Sequence, residues 1–196
     1  MSPYASPEWE SFLAAIAAAI DDDLPRLVAA DWLEESGDAE RAEFIRLQCE
    51  LARPMASDRA EVLHFREREL LNSPTAAWLW AVEACPHIVS TSFDAMASPL
   101  RSFSIHNANR VQFRRGFPAS VSCTAREWLE HGSGVVPRQP VISLVLTRCE
   151  ELSIENWWPM LSTLRRMRSI FLDCRWARLP KWLGERLPQV DITPKR

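Results

Sequence analysis

The run Ile142-Ser143-Leu144-Val145-Leu146-Thr147 sets two leucines one residue apart among small and β-branched neighbours. It reads as a β-strand, because alternate side chains of a strand face the same way and Leu144 and Leu146 then share one face. The apolar-x-apolar pattern returns as Ile170-x-Leu172 within Ser169–Asp173 and as Val190-x-Ile192 within Gln189–Ile192, and a further strand is expected at Ala119–Cys123. Successive strand starts fall roughly 20–27 residues apart, inside the period of leucine-rich repeats. Ala125–His131, Trp157–Met167 and Leu179–Leu187 lie between the strands, each able to form a short helix. Strand and helix in repetition predict a solenoid of short coils, each burying its apolar face only against its neighbours. Further upstream, Ser102–Ile105 and Val111–Phe113 also alternate, and this texture begins after Pro86.

Before Pro86 the period changes to that of helices. Ser6-Pro7-Glu8 is a helix start, and Trp9, Phe12, Leu13, Ile16 and Ile20 follow at helical spacing. Asp21–Asp23 interrupt it, and Asp23 is expected to cap a second helix with the apolar stripe Leu24, Leu27, Val28 and Trp32. Gly37 suits the stop of that helix. Asp38 begins a third, with Phe44, Leu47, Gln48 and Leu51 on one face, and Pro54 ends it. A charged fourth helix is expected from Ser57 to about Leu71, and a short one with Trp78, Leu79 and Trp80 after Pro74. The division is a helical module over 1–85 and a β/α region over 86–196, an α+β chain overall.

The run Pro25-Arg26-Leu27-Val28-Ala29-Ala30-Asp31-Trp32-Leu33-Glu34-Glu35-Ser36-Gly37-Asp38, continued by Ala42-Glu43-Phe44-Ile45-Arg46-Leu47-Gln48, closely resembles the opening of a bacterial repeat-companion domain. Arg66–Leu70, Trp78 and Arg114-Arg115-Gly116-Phe117 extend the likeness more loosely, to about residue 123. The resemblance implies a small helical module of the kind that often precedes leucine-rich repeats, with no catalytic residues. Within the matched segment, Asp31 lies seven residues after Leu24, on or near the apolar stripe, and a carboxylate there needs a partner. Arg46 on the next helix is the candidate, with Trp32 packed between the helices; these three residues read as architectural.

Charge is unevenly spread. Residues 1–100 carry 7 basic and 18 acidic groups and residues 101–196 carry 16 and 8, so −11 faces +8. Such polarity fits either two halves that dock on one another or a basic surface for an anionic partner. Cys49, Cys85, Cys123, Cys149 and Cys174 are scattered and odd in number, which suits free thiols in a reducing cytoplasm. No apolar run reaches the ~18–20 residues of a membrane span, and no signal peptide or membrane contact is expected.

Motifs that carry chemistry are sparse. There is no C-x-x-C, no H-E-x-x-H and no calcium loop; His64, His87, His106 and His131 are isolated, and no metal or cofactor is expected. Gly132-Ser133-Gly134 lacks the lysine and spacing of a phosphate loop and reads as a loop without function. Cys85 and His87 are close, yet Pro86 sets them at a turn without an oriented base. Asp21–Asp23 and Glu34-Glu35 read as solvated helix ends.

The leading expectation is a non-catalytic adaptor or regulatory subunit that binds another protein in a bacterial complex. It would do so through the outward strand residues Ser120, Ser122, Val145, Thr147, Phe171, Asp173 and Asp191, with Phe171 as the aromatic anchor. A second reading is nucleic-acid binding through Arg110, Arg114 and Arg115 or Arg165, Arg166 and Arg168, with Trp157, Trp158 and Trp176 nearby. A third is an enzyme whose site assembles only in three dimensions.

Overall fold

The computed structural model describes Tyr4 and residues 6–73, 111–136, 139–173, 175, 176 and 178–194. The boundary at 85/86, the strand-like run Ser102–Ile105, Trp78, Leu79, Trp80, Arg110, the Cys85–His87 pair, His106 and Cys174 lie outside the described residues. Among those described are seven α-helices and one five-stranded mixed sheet, an α+β architecture with the helical N-terminal part anticipated from the sequence.

The first four helices are α1 (Pro7–Ala18), α2 (Leu24–Glu35), α3 (Ala39–Leu51) and α4 (Ser57–Asn72). Ser6 caps α1 by accepting from the Trp9 amide at 3.1 Å, and Asp38 caps α3 by accepting from the Arg41 amide at 3.1 Å. The cap expected from Asp23 does not form. Its neighbour Asp22 accepts from the Leu24 amide at 2.9 Å instead. Gly37 follows α2 at a φ of 93°, the left-handed turn that ends a helix without a Cβ penalty.

The expected stripe of α2 is corrected by the packing. Leu24 and Val28 are exposed, while Arg26, Ala29, Ala30 and Leu33 are buried. Small alanines let α2 approach α3 closely, and the helix is rotated so that this face meets Ala42 and Ile45 of the same core. Trp32 is half-buried against α1, 6.1 Å from Trp9 and 5.7 Å from Phe12 between ring centres, rather than wedged between α2 and α3.

The sheet runs β1 (Val111–Arg114), β2 (Phe117–Thr124), β3 (Ser143–Thr147), β4 (Ser169–Asp173), β5 (Asp191–Pro194), and its spatial order is its sequence order. β1 and β2 form an antiparallel hairpin; β2 to β5 are parallel. Each parallel step is bridged by a helix, in turn α5 (Ala125–Val135), α6 (Ile154–Leu164) and α7 (Leu179–Arg186). Thr124 and Glu127 form a reciprocal capping box on α5, at 3.1 and 2.7 Å.

In register, Val121 pairs with Leu144, Leu144 with Ile170, and Ile170 with Ile192; one rung on, Cys123, Leu146 and Leu172 align. These side chains and the inner faces of α5, α6 and α7 make one core, centred on Trp128 and Trp157. Two expectations change here. The last strand begins at Asp191, so Ile192 rather than Val190 completes the first rung; Val190 is buried in the turn before it. Gly132–Gly134 is not a loop but the last stretch of α5, where a Cβ on Gly132 would come within 2.7 Å of the Trp128 ring.

A second core joins the two halves. Phe117 of β2 sits among Trp9, Leu13, Ile16, Ala29, Ile45 and Cys49, and Phe113 packs edge-on against Phe44 at 5.6 Å. The hairpin is therefore built into the helical part.

Candidate functional site

Two places on the surface gather chemically distinctive side chains. The first is the outward face of the sheet. Because strand side chains alternate, burying Leu144, Leu146, Ile170 and Leu172 turns their neighbours outward. Register then groups them in three rows. Ser120, Ser143, Ser169 and Asp191 form one, Ser122, Val145, Phe171 and Thr193 the next, and Thr124, Thr147 and Asp173 the last. All seven residues singled out from the sequence thus lie on one face. Ser120, Ser122, Val145 and Thr147 are half-buried, whereas Phe171, Asp173 and Asp191 are exposed. Phe171 retains 37% of its accessibility on β4, the strand next to the β5 edge of the sheet. Thr124, Ser143, Ser169 and Thr193 were missed, although the same two-residue alternation carries them. The Ser169 hydroxyl donates to that of Ser143 at 3.0 Å.

The second place is the junction of the acidic and basic halves. Arg115 and Gly116 form the two-residue turn of the β1–β2 hairpin, with φ of 54° and 82°. Gly116 lies directly on α3, its amide donating to the Gln48 side chain at 2.6 Å. This seating aims Arg115 back at the α1–α2 turn, where it donates to the Asp21 carbonyl at 2.6 Å and the Asp23 carboxylate at 2.5 Å. Arg53 reaches the other oxygen of Asp23 at 3.1 Å. Arg168, just before β4, donates to Asp21 at 2.9 Å, and Arg114 stands 3.5 Å from its second oxygen. The hydrogen bond from Arg168 holds the Asp21 carboxyl below the usual range. Asp21 and Asp23 are thus not merely solvated helix ends; the opposite charges of the two halves meet here.

Beneath the turn, Arg26 is 2% exposed and donates to the carbonyls of Ile20 at 2.7 Å and Asp22 at 2.5 Å. It ties down the turn that follows α1, whose carbonyls it gathers with its planar fork of donors. Burial lowers its pKa, and burial likewise pulls Arg41 down to about 10, where its guanidinium faces the rings of Phe117 and Phe44. A small dimple with space for about one water lies beside Arg26, walled by Ile20, Arg114, Phe117, Pro118 and Ile142. Neither buried arginine was recognised in the sequence, because an arginine at helical spacing reads as solvated until a neighbour's carbonyls are placed.

Comparison with protein-family models, with curated proteins and with solved structures finds no match.

The remaining candidates fall as follows. Arg46 does reach Asp31, at 2.6 Å, and also Glu34 at 2.7 Å. The contact is on the surface, however, with Asp31 67% exposed, so no buried charge is being neutralised. Trp157 is buried, but Trp158 is exposed and meets Trp182 edge-on at 5.4 Å, with the Arg186 guanidinium 4.2 Å above the Trp182 ring. Among the described residues, no three His, Cys, Asp or Glu side chains converge as a metal would require, and no helix is long and apolar enough to cross a membrane. Cys49, Cys123 and Cys149 are buried free thiols.

Proposed function

We propose that this chain is a non-catalytic protein-interaction module, an adaptor or regulatory subunit of a bacterial cytoplasmic complex, which grips another protein with the outward face of its sheet. The observation that carries the reading is the exposed Phe171 at the centre of three aligned rows of short polar side chains, on a sheet whose other face is closed by helices. An aromatic ring ringed by small hydroxyls offers a desolvatable anchor with polar groups at its margin, the anatomy of a protein interface. We further propose that β2 to β5 with their helices form a short leucine-rich-repeat-like curl behind a repeat-companion-like helical module. Equivalent rungs recur about every 22–26 residues, within the period of such repeats, and each strand pairs with the next in sequence.

Nucleic-acid binding is the weaker reading, since Arg115 is held by Asp23 in a contact only 15% exposed and Trp157, expected to stack on bases, is buried in the core. A photo-crosslinking amino acid at position 171, expressed in the source cells, tests the assignment. A discrete adduct is expected that is protease-sensitive, resistant to nuclease and lost when Val145→Arg is added. Nuclease-sensitive adducts, or equal labelling from position 62 on α4, would reject it.

A further inference from the structure

We propose that the junction of the α1–α2 turn with the start of the sheet is a binding site for a phosphate-type oxyanion, and that the Asp21 carboxylate occupies it as an internal ligand. This goes beyond the interaction face and does not depend on it. Arg114 and Arg168 come from β1 and from the approach to β4, yet each addresses a different oxygen of one carboxylate, at 3.5 and 2.9 Å. Two guanidiniums so placed already hold the spacing that an O–X–O group needs, and guanidinium is the side chain best shaped to bind phosphate in a fork.

Charge favours a dianion over the carboxylate now present. Arg115 is committed to Asp23 in a contact only 15% exposed on either side, and Arg53 shares that carboxylate. Asp22 turns its side chain to the Leu24 amide. Two arginines therefore confront the single charge of Asp21. That carboxylate is 56% exposed, and ion pairs at such exposure are weak enough to be exchanged. Arg114 also lines the water-sized dimple in which Arg26 keeps a buried Nε–H with no acceptor. Phosphate would displace Asp21 outward and bridge Arg114 and Arg168.

The test is calorimetric titration of the full chain with inorganic phosphate, at fixed ionic strength. Wild type should bind weakly, because Asp21 competes. Asp21→Asn should bind about two- to fivefold tighter, as expected when a weak, exposed internal competitor is removed. Adding Arg114→Gln and Arg168→Gln should abolish the gain. Side-chain NMR of wild type supplies a readout that needs no variant, with the Nε–H signals of Arg114 and Arg168 shifting saturably with phosphate and not with acetate. A phosphoserine peptide in parallel separates the sources. Tighter binding than free phosphate points to a phosphorylated partner, and equal or weaker binding to a free ion. An unchanged affinity in Asp21→Asn, a gain that survives loss of both arginines, or equal shifts with acetate would overturn the site.

Discussion

Gly116 shows how much one residue carries here. Its φ of 82° is in the left-handed region, and a Cβ would sit 2.6 Å from the Ile45 backbone. Gly116→Ala should therefore cost about 2–4 kcal/mol, combining left-handed strain with an overlap that cannot relax into a side chain. Urea unfolding monitored at the tryptophans measures it. Arg26 and Arg46 make a contrasting pair. Arg26→Met removes a buried guanidinium from the carbonyls of Ile20 and Asp22, and should cost about 2–4 kcal/mol because two charge-assisted hydrogen bonds are lost. Arg46→Ala removes two short ion pairs, yet should cost about 0–1 kcal/mol, since both carboxylates face water. If the two variants melt at the same temperature, the assignment of one to the interior and the other to the surface fails.

At the scale of elements, the order of the parallel strands follows from short local crossovers through α5, α6 and α7. The capping box marks the start of α5, and Thr124→Ala should cost about 1 kcal/mol by leaving the Glu127 amide without its acceptor. Thr124→Ser should restore most of that, and thermal melts of the three proteins decide it. The β2, β3 and β4 ladder was legible because its aliphatics recur in phase. β5 was not. Val190 and Ile192 are spaced alike with Leu144 and Leu146, and only the turn ending at Val190 decides that the strand starts two residues later, at Asp191. The rotation of α2 was hidden for a related reason. Leu24 and Val28 are the larger apolar groups, but close helix packing selects the alanine face.

The whole molecule is joined by Phe117 in the helical core and by the charged contacts of Asp21 and Asp23 above it. Opposite net charges on the halves hinted at docking, and the hairpin realises it. Cys49 lies in this seam, its thiol pushed from 9.0 up to about 12, chiefly by burial. An acid with a raised folded pKa keeps a proton that the unfolded chain releases. The stability that the neutral thiol contributes is thus complete below about pH 9 and falls as pH climbs from there toward 12. Cys49→Ala should flatten that alkaline decline, which urea midpoints at pH 8, 10 and 11 will show; an identical slope in both proteins rules the thiol out. Native Cys49 should also resist a thiol reagent at pH 8 until denaturant is added.

Alternating and helical periods in the sequence determined the element types, the order of helix and strand, and the seven outward residues of the sheet. These depend on local geometry, in which neighbours along the chain fix one another's direction. Tertiary structure alone decided that Arg26 and Arg41 are buried, that Asp31 is not, and that Arg114 and Arg168 converge on Asp21. Such contacts join residues far apart in the chain, and a charged side chain carries no local mark of whether a distant carbonyl, ring or carboxylate will be brought to meet it.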